Sequence, residues 1–249
     1  KEKIRESAGK PHGMILVCGP TGCGKTTTLY SIMNYVDDPG KNLVTVEDPV
    51  EYEIKSFSQV SVNEDIGLTF AGCLRSILRQ DPDIVMVGEI RDYDTLDIAV
   101  KSALTGHLVL STLHTNTACG SVIRMVNMGA EPFLISASTE MIAAQRLVRK
   151  LCTDCREAYT PSKDMAEKYW LFDSGGKIAT IYRPKGCKRC LDSGYKGRTA
   201  IIECMRLTPK IRDLICNRVQ EHELEKAARQ EDMVTLRENG IENVLEGNT

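Results

Sequence analysis

The chain has 249 residues, 42% hydrophobic and 27% charged, a balance that excludes a disordered, collagen-like or coiled-coil chain and predicts a principal domain with a smaller appendage. Thirty-two Lys and Arg residues against 34 Asp and Glu give a formal charge of -2, so no global positive field is present to hold a nucleic-acid backbone. The longest apolar runs, such as Met14–Cys18 and Ile84–Val87, fall far short of the roughly 20 residues that span a bilayer, so any membrane association is expected to be peripheral or through a partner.

The chain opens at Lys1 with no export signal, which suggests a piece of a longer polypeptide, and its ten cysteines then suit a reducing compartment. From Gly13 to about Leu151, short apolar runs alternate with segments of helical period, the pattern of βα units around a mostly parallel sheet. The first predicted strand, 14–18, runs into Gly19-Pro20-Thr21-Gly22-Cys23-Gly24-Lys25-Thr26, which matches GxxxxGK[ST] between a strand and a helix. Glycines let such a loop curl so that successive N–H groups converge on phosphate oxygens, and the following helix adds its positive end. Lys25 is expected to reach the β and γ phosphates and Thr26 to hold Mg²⁺, with Thr27 completing the nucleotide-binding segment. Leu29, Ile32, Met33 and Val36 then form the buried stripe of a helix.

The second predicted strand, 43–46, ends in Glu47-Asp48-Pro49, and the third, 84–87, in Gly88-Glu89. Ligands of open α/β sheets lie outside the carboxyl ends of the strands, so Glu89 is expected nearest the metal and Glu47 to orient or deprotonate the attacking water, or the two with roles exchanged. Asp48, before a proline, reads evenly as an acid of this strand edge or as a helix cap or solvated charge. Gly88 stands where many P-loop enzymes place a metal-supporting Asp. Leu96, Ala99, Val100, Ala103 and Leu104 mark the next helix, followed by strand 108–112, bracketed by His107 and His114. His114 lies where it could contact a terminal phosphate.

From 152 to about 199 periodicity is lost. Cys152-Thr153-Asp154-Cys155 and Cys187-Lys188-Arg189-Cys190 are two CxxC pairs with 31 residues between them, a spacing that can loop out while four thiolates close on one structural Zn²⁺. A redox dithiol or buried thiols are the alternatives. Lys185, Lys188, Arg189, Lys196 and Arg198 would offset the site's negative charge and could meet a partner. The six scattered cysteines, Cys18, Cys23, Cys73, Cys119, Cys204 and Cys216, read as small apolar filler. Helices are expected over Leu207–Val219 and Glu221–Ala228, before the ending Glu246-Gly247-Asn248-Thr249. The expected domains are 1–151, a P-loop ATPase core; 152–199, a tetracysteine metal-binding subdomain; and 200–249, a C-terminal helical segment.

Five segments together resemble the secretion ATPases that power type II secretion and type IV pilus assembly: Gly19–Thr28, Val46–Glu51, Leu78–Asp92, the two-histidine stretch, and the paired cysteines. The resemblance covers about residues 11–200. It implies a RecA-like P-loop NTPase fold, a hexameric ring that couples ATP hydrolysis to an inner-membrane secretion or pilus platform, and a cytoplasmic, peripheral location. By it, Lys25, Glu47, Glu89 and His114 serve catalysis, and Gly88 ceases to be a departure. The family's cysteine pairs are typical of its secretion and assembly branch, which disfavours a retraction motor. Full-length members carry a further N-terminal domain supplying arginines, so poor turnover is expected of this stretch alone. Two other classes remain open: a RecA-like nucleic-acid motor, opposed by the charge balance and 5% aromatic content, and a weakly catalytic docking fragment.

Overall fold

Gly13–Cys18, six consecutive residues without a charge, form strand β1, and all six are buried in the computed structural model of the protein. It describes residues 2–173 and 175–249; Lys1 and Ser174 lie outside the described residues. A parallel strand covered on both faces needs no polar alternation, which is why β1 reads as an unbroken apolar run. The same applies to β2 (Leu43–Glu47), β4 (Ile84–Val87) and β5 (Leu108–Leu113), each buried throughout. The four strands expected from the sequence differ from these by no more than one residue at either end.

β1 pairs in parallel with β5 (Met14 opposite Val109), β5 with β4 (Val109 opposite Val85), and β4 with β2 (Val85 opposite Val44). A short edge strand, β3 (Ser58–Ser61), pairs in parallel with β2, placing Gln59 opposite Thr45. On the other side β6 (Thr139–Leu151) pairs in parallel with β1. With β9 (Tyr195–Arg206), the seven-stranded order is β3-β2-β4-β5-β1-β6-β9. This is the expected α/β fold with a mostly parallel sheet. β3, β6 and β9 had no strand signal: β3 is polar, and β6 is mostly buried in its first half and mostly accessible in its second until buried Leu151, so neither period dominates.

The helices of the amino-terminal part are α1 (Glu2–Ala8), α2 (Lys25–Val36), α3 (Phe70–Ile77), α4 (Tyr93–Leu104), α5 (Ala118–Asn127) and α6 (Pro132–Ser138). α2 buries Leu29, Ile32, Met33 and Val36 as its spacing predicts, and Tyr30 as well. Each such side chain is worth about 1.5–3 kcal/mol on burial. α4 buries Leu96, Ala99, Val100 and Ala103. Leu104, expected in that stripe, is instead 40% exposed, because it is the last helical residue and Thr105 already leaves the helix. Thr69, Asp92 and Thr117 cap α3, α4 and α5 by accepting N–H bonds from the first turn.

Two compact units divide the chain. One comprises residues up to Ala144 together with Cys204–Met233; the other comprises Gln145–Glu203 and Val234–Thr249. Within the first, α8 (Pro209–Cys216) and α9 (Glu221–Gln230) occupy the two carboxyl-terminal stretches with helical spacing. Within the second, β7 (Glu157–Tyr159) pairs antiparallel with β8 (Ile181–Arg183). α7 (Lys163–Tyr169) and α10 (Leu236–Leu245) complete it, around a small core of Ala166, Leu171 and Ile181 packed by Ile241, Val244 and Leu245. Residues 200–249, grouped as one segment by composition, therefore contribute to both units, because composition does not record which core a helix joins. Among the described residues no helix is long and apolar enough to cross a membrane.

Candidate functional site

Parallel strands end on one edge of a sheet, so β1, β5, β4 and β2, consecutive in the sheet, deliver four chain segments side by side. At the end of β1 the loop Gly19–Gly24 turns into α2. Gly22 and Gly24 adopt φ of 76° and 87°, a left-handed backbone that costs glycine nothing and most residues about 1–2 kcal/mol. No side chain caps α2, and its first turn holds no acid, so its N-terminal amides and positive end face the loop unopposed. Lys25 Nζ donates to the carbonyl oxygens of Gly19 (3.0 Å) and Pro20 (3.3 Å), spanning the loop mouth. Thr21 is exposed, Pro20, Thr26 and Thr27 are partly or fully accessible, and Cys23 is buried beneath.

Next along the edge, His114 follows β5 and Glu89 follows β4, and the two meet: His114 Nε2 lies 3.0 Å from Glu89 Oε2. The other Glu89 oxygen pairs with Arg91, whose guanidinium also lies 3.9 Å from Asp48. Bonding to Glu89 raises the Arg91 pKa. Glu89 thus has a cationic or protic partner on each oxygen. Asp48, weighed evenly between an acid of the site and a cap or solvated charge, caps no helix and is exposed beside the Arg91 guanidinium. His107, by contrast, turns back to the Ser102 carbonyl, 3.0 Å from Nδ1, at the opposite end of β5.

Gly88 has a packing reason. Its N–H donates to the Val46 carbonyl at 2.7 Å, and a Cβ placed there would stand 3.3 Å from that oxygen and 3.4 Å from Glu47 Cα. A side chain at 88 would therefore require the Val46 carbonyl to give by a few tenths of an ångström.

Glu47 is the last residue of β2 and is only 2% exposed. A buried carboxylate requires donors, and it has three: the Tyr30 hydroxyl, Thr45 Oγ1 at 2.6 Å and Gln59 Nε2 at 3.1 Å. Burial, then the neighbouring Glu47, raises the Tyr30 pKa far above its usual value, so the hydroxyl keeps its proton. Sequence reasoning passed over Tyr30, Thr45, Gln59 and Arg91. One signal was available: Tyr30 falls one helical turn after Thr26, and Thr45 shares a strand face with Glu47.

In the second unit, Cys152, Cys155, Cys187 and Cys190 converge, with all sulfurs within 4.8 Å of one another. Separations of 3.9, 3.8 and 3.7 Å are found for Cys152–Cys187, Cys155–Cys190 and Cys187–Cys190. Tetrahedral Zn²⁺ with bonds of about 2.3 Å requires sulfur edges of about 3.8 Å, so the donor set and its size both fit zinc. The N–H groups of Cys187 and Gly194 each donate to Cys190 Sγ at 3.2 Å. Burial works to raise the Cys190 pKa, but these amides together with hydrogen bonds from the Cys187 and Cys155 side chains outweigh it and lower it to about 7. Two of the nearby cations are already committed: Lys185 to Glu157 at 2.7 Å and Arg189 to Asp154 at 2.7 Å. Of the scattered cysteines, Cys18, Cys23, Cys73 and Cys119 are buried as expected of filler, whereas Cys216 is exposed and Cys204 intermediate; both sit on elements with one solvent-facing side.

A family model described as type II/IV secretion system protein matches residues 1–249, the whole chain. The chain belongs to that family. It is 49% identical over 249 residues to the putative type II secretion system protein E of Escherichia coli K12, covering all of this chain and 50% of that protein. The type IV pilus assembly ATPase PilB of Myxococcus xanthus is 48% identical over 251 residues, covering 99% of this chain and 44% of PilB. The chain thus spans about half the length of these family members. A crystal structure of the pilus retraction motor PilT with bound ADP aligns over 100% of this chain and 62% of its own, with a TM-score of 0.73 and 29% identity. The ATPase DotB of Legionella pneumophila shares the fold, with a TM-score of 0.70 at 22% identity.

Proposed function

We propose that this chain is the ATP-binding and ATP-hydrolysing motor domain of a type II secretion or type IV pilus-assembly ATPase. The observation that carries the reading is the sheet edge: a glycine loop bridged by Lys25, with the Glu89–His114 pair and the buried Glu47 on neighbouring strand ends. In this reading the loop amides of Gly19–Gly24 and the α2 N-terminus cradle the phosphates, and Lys25 exchanges its two carbonyl partners for phosphate oxygens. The Thr26 hydroxyl would hold Mg²⁺, which neutralises phosphate charge. Glu47 or Glu89 orients the attacking water and accepts its proton. His114, already in reach of Glu89, contacts the γ phosphate, so recognition of the terminal phosphate and release of one Glu89 oxygen become a single event. Cys152, Cys155, Cys187 and Cys190 hold a structural Zn²⁺, with no coordination position left open for chemistry.

Family membership supports the wider role in this reading: self-assembly into a hexameric ring, peripheral attachment at the cytoplasmic face of the inner membrane through platform proteins, and work on export or pilin assembly rather than on nucleic acid. The identities of 48–49% to protein E and PilB, against 29% to the retraction motor, support the secretion and assembly side. The test is equilibrium binding of a fluorescent ATP analogue, with steady-state hydrolysis measured in parallel. Lys25→Ala is expected to weaken binding at least about tenfold and to abolish turnover. Unchanged binding by that variant would remove the reading.

A further inference from the structure

Glu47 is held from three directions, and the holders differ in kind. Thr45 lies on the same strand and moves with it. Gln59 comes from β3, opposite Thr45 in the parallel register. Its amide orientation is set by its other end, where Gln59 Oε1 accepts the Ile54 N–H at 2.7 Å and so turns Nε2 towards Glu47. Tyr30 comes from α2, the helix that begins with Lys25 and Thr26. The residue is 1% exposed and its ring stands edge-on to Tyr52, with centroids 4.7 Å apart, which packs the ring with its hydroxyl on Glu47. Gln59 Nε2 also lies 3.4 Å from that hydroxyl, which closes a Tyr30–Glu47–Gln59 triangle.

We propose that Tyr30 and Gln59 are positioning residues for ATP hydrolysis: they fix the Glu47 carboxylate relative to the phosphate-binding helix, so that the nucleotide's seat and the acid move as one body. The inference rests on the proposed function. Neither side chain belongs to the phosphate loop, and their part is to act through Glu47. The β2 end is several strands away from β1 in the sheet, and the Tyr30 hydroxyl supplies a direct link between Glu47 and the helix that bears Thr26. A misplacement of about 1 Å at such a group can cost about 10²-fold in rate without touching substrate binding.

The experiment is a double-mutant cycle on the full-length protein, with kcat, KM for ATP and affinity for a non-hydrolysable ATP analogue measured for each form. Tyr30→Phe removes one oxygen and keeps the ring. It is expected to lower kcat at least about tenfold, part of the roughly 10²–10⁴ that a positioned acid–base group supplies, with KM and analogue affinity within about twofold of the parent. In a Glu47→Gln background, where single-turnover rates are compared, adding Tyr30→Phe should change the rate less than about twofold, since the effect passes through the carboxylate. Gln59→Leu, run through the same cycle, stands in if Tyr30→Phe does not fold and should give the same non-additivity. Unchanged kcat, a loss traced to analogue affinity, or full additivity with Glu47→Gln would each overturn the inference while leaving the ATPase reading intact. A parent protein that fails to hydrolyse ATP would remove both.

Discussion

Tyr30 ends in a hydroxyl surrounded by protein on the helix that begins at Lys25, and its protonation is a property of that setting. An unfolded tyrosine titrates near 10.0, whereas burial and Glu47 keep Tyr30 protonated well above that in the fold. The folded state thus binds more protons than the unfolded state once the pH passes 10.0, so stability from this group is complete below that value and is lost as the pH rises through and beyond it. Denaturant titrations between about pH 9 and 11 should show Tyr30→Phe losing stability less steeply than the parent; parallel slopes would count against the buried contact. The same residue shows how the site was partly hidden. Glu47 and Glu89 could be singled out because they follow apolar runs, whereas Tyr30 and Gln59 become visible as partners only when α2 and β3 are placed against β2.

At the scale of elements, the four-cysteine cluster is expected to carry much of the order of its surroundings. The second unit's own apolar cluster is small, with Ala166, Leu171 and Ile181 its buried members. A tetrathiolate zinc site contributes on the order of 10 kcal/mol or more in model peptides, enough to exceed what so few side chains provide. The purified protein is expected to hold about one zinc per chain, the stoichiometry of a closed four-thiolate site. Stripping it with a chelator, or Cys187→Ser, should collapse amide-exchange protection across residues 152–199 while β1 retains its own. A fully protected, zinc-free second unit would contradict the assignment. The CxxC spacing made the four-cysteine cluster legible in the sequence. The amides of Cys187 and Gly194 aimed at Cys190 were not, because they depend on how the turns close.

At the scale of the whole molecule, the chain spans about half of the curated relatives it matches. An arginine reaching a nucleotide from another part of a ring is worth about 10³ to 10⁵ in rate. We expect these 249 residues alone to bind ATP with an affinity close to that of the full-length protein yet to turn it over at least about 10³-fold more slowly. Nucleotide titration and phosphate release measured on both forms would check this; equal rates would show that the site is complete without the remainder.

The amino-acid sequence by itself determined the glycine loop, the order of the βα units and the four-cysteine cluster, because each is written in local spacing: glycines and Lys25 within eight residues, buried parallel strands as unbroken apolar runs, and cysteines three apart in each pair. It also placed Glu47, Glu89 and His114 at strand ends, since each directly follows such a run. Only the tertiary structure decided that Glu89 meets His114 and Arg91, that Glu47 is hydrogen-bonded by Tyr30 and Gln59, and that residues 200–249 divide between two units. Those outcomes depend on strand order and on polar edge strands such as β3, whose pairing is set by the neighbours they meet in space and leaves no periodic trace along the chain.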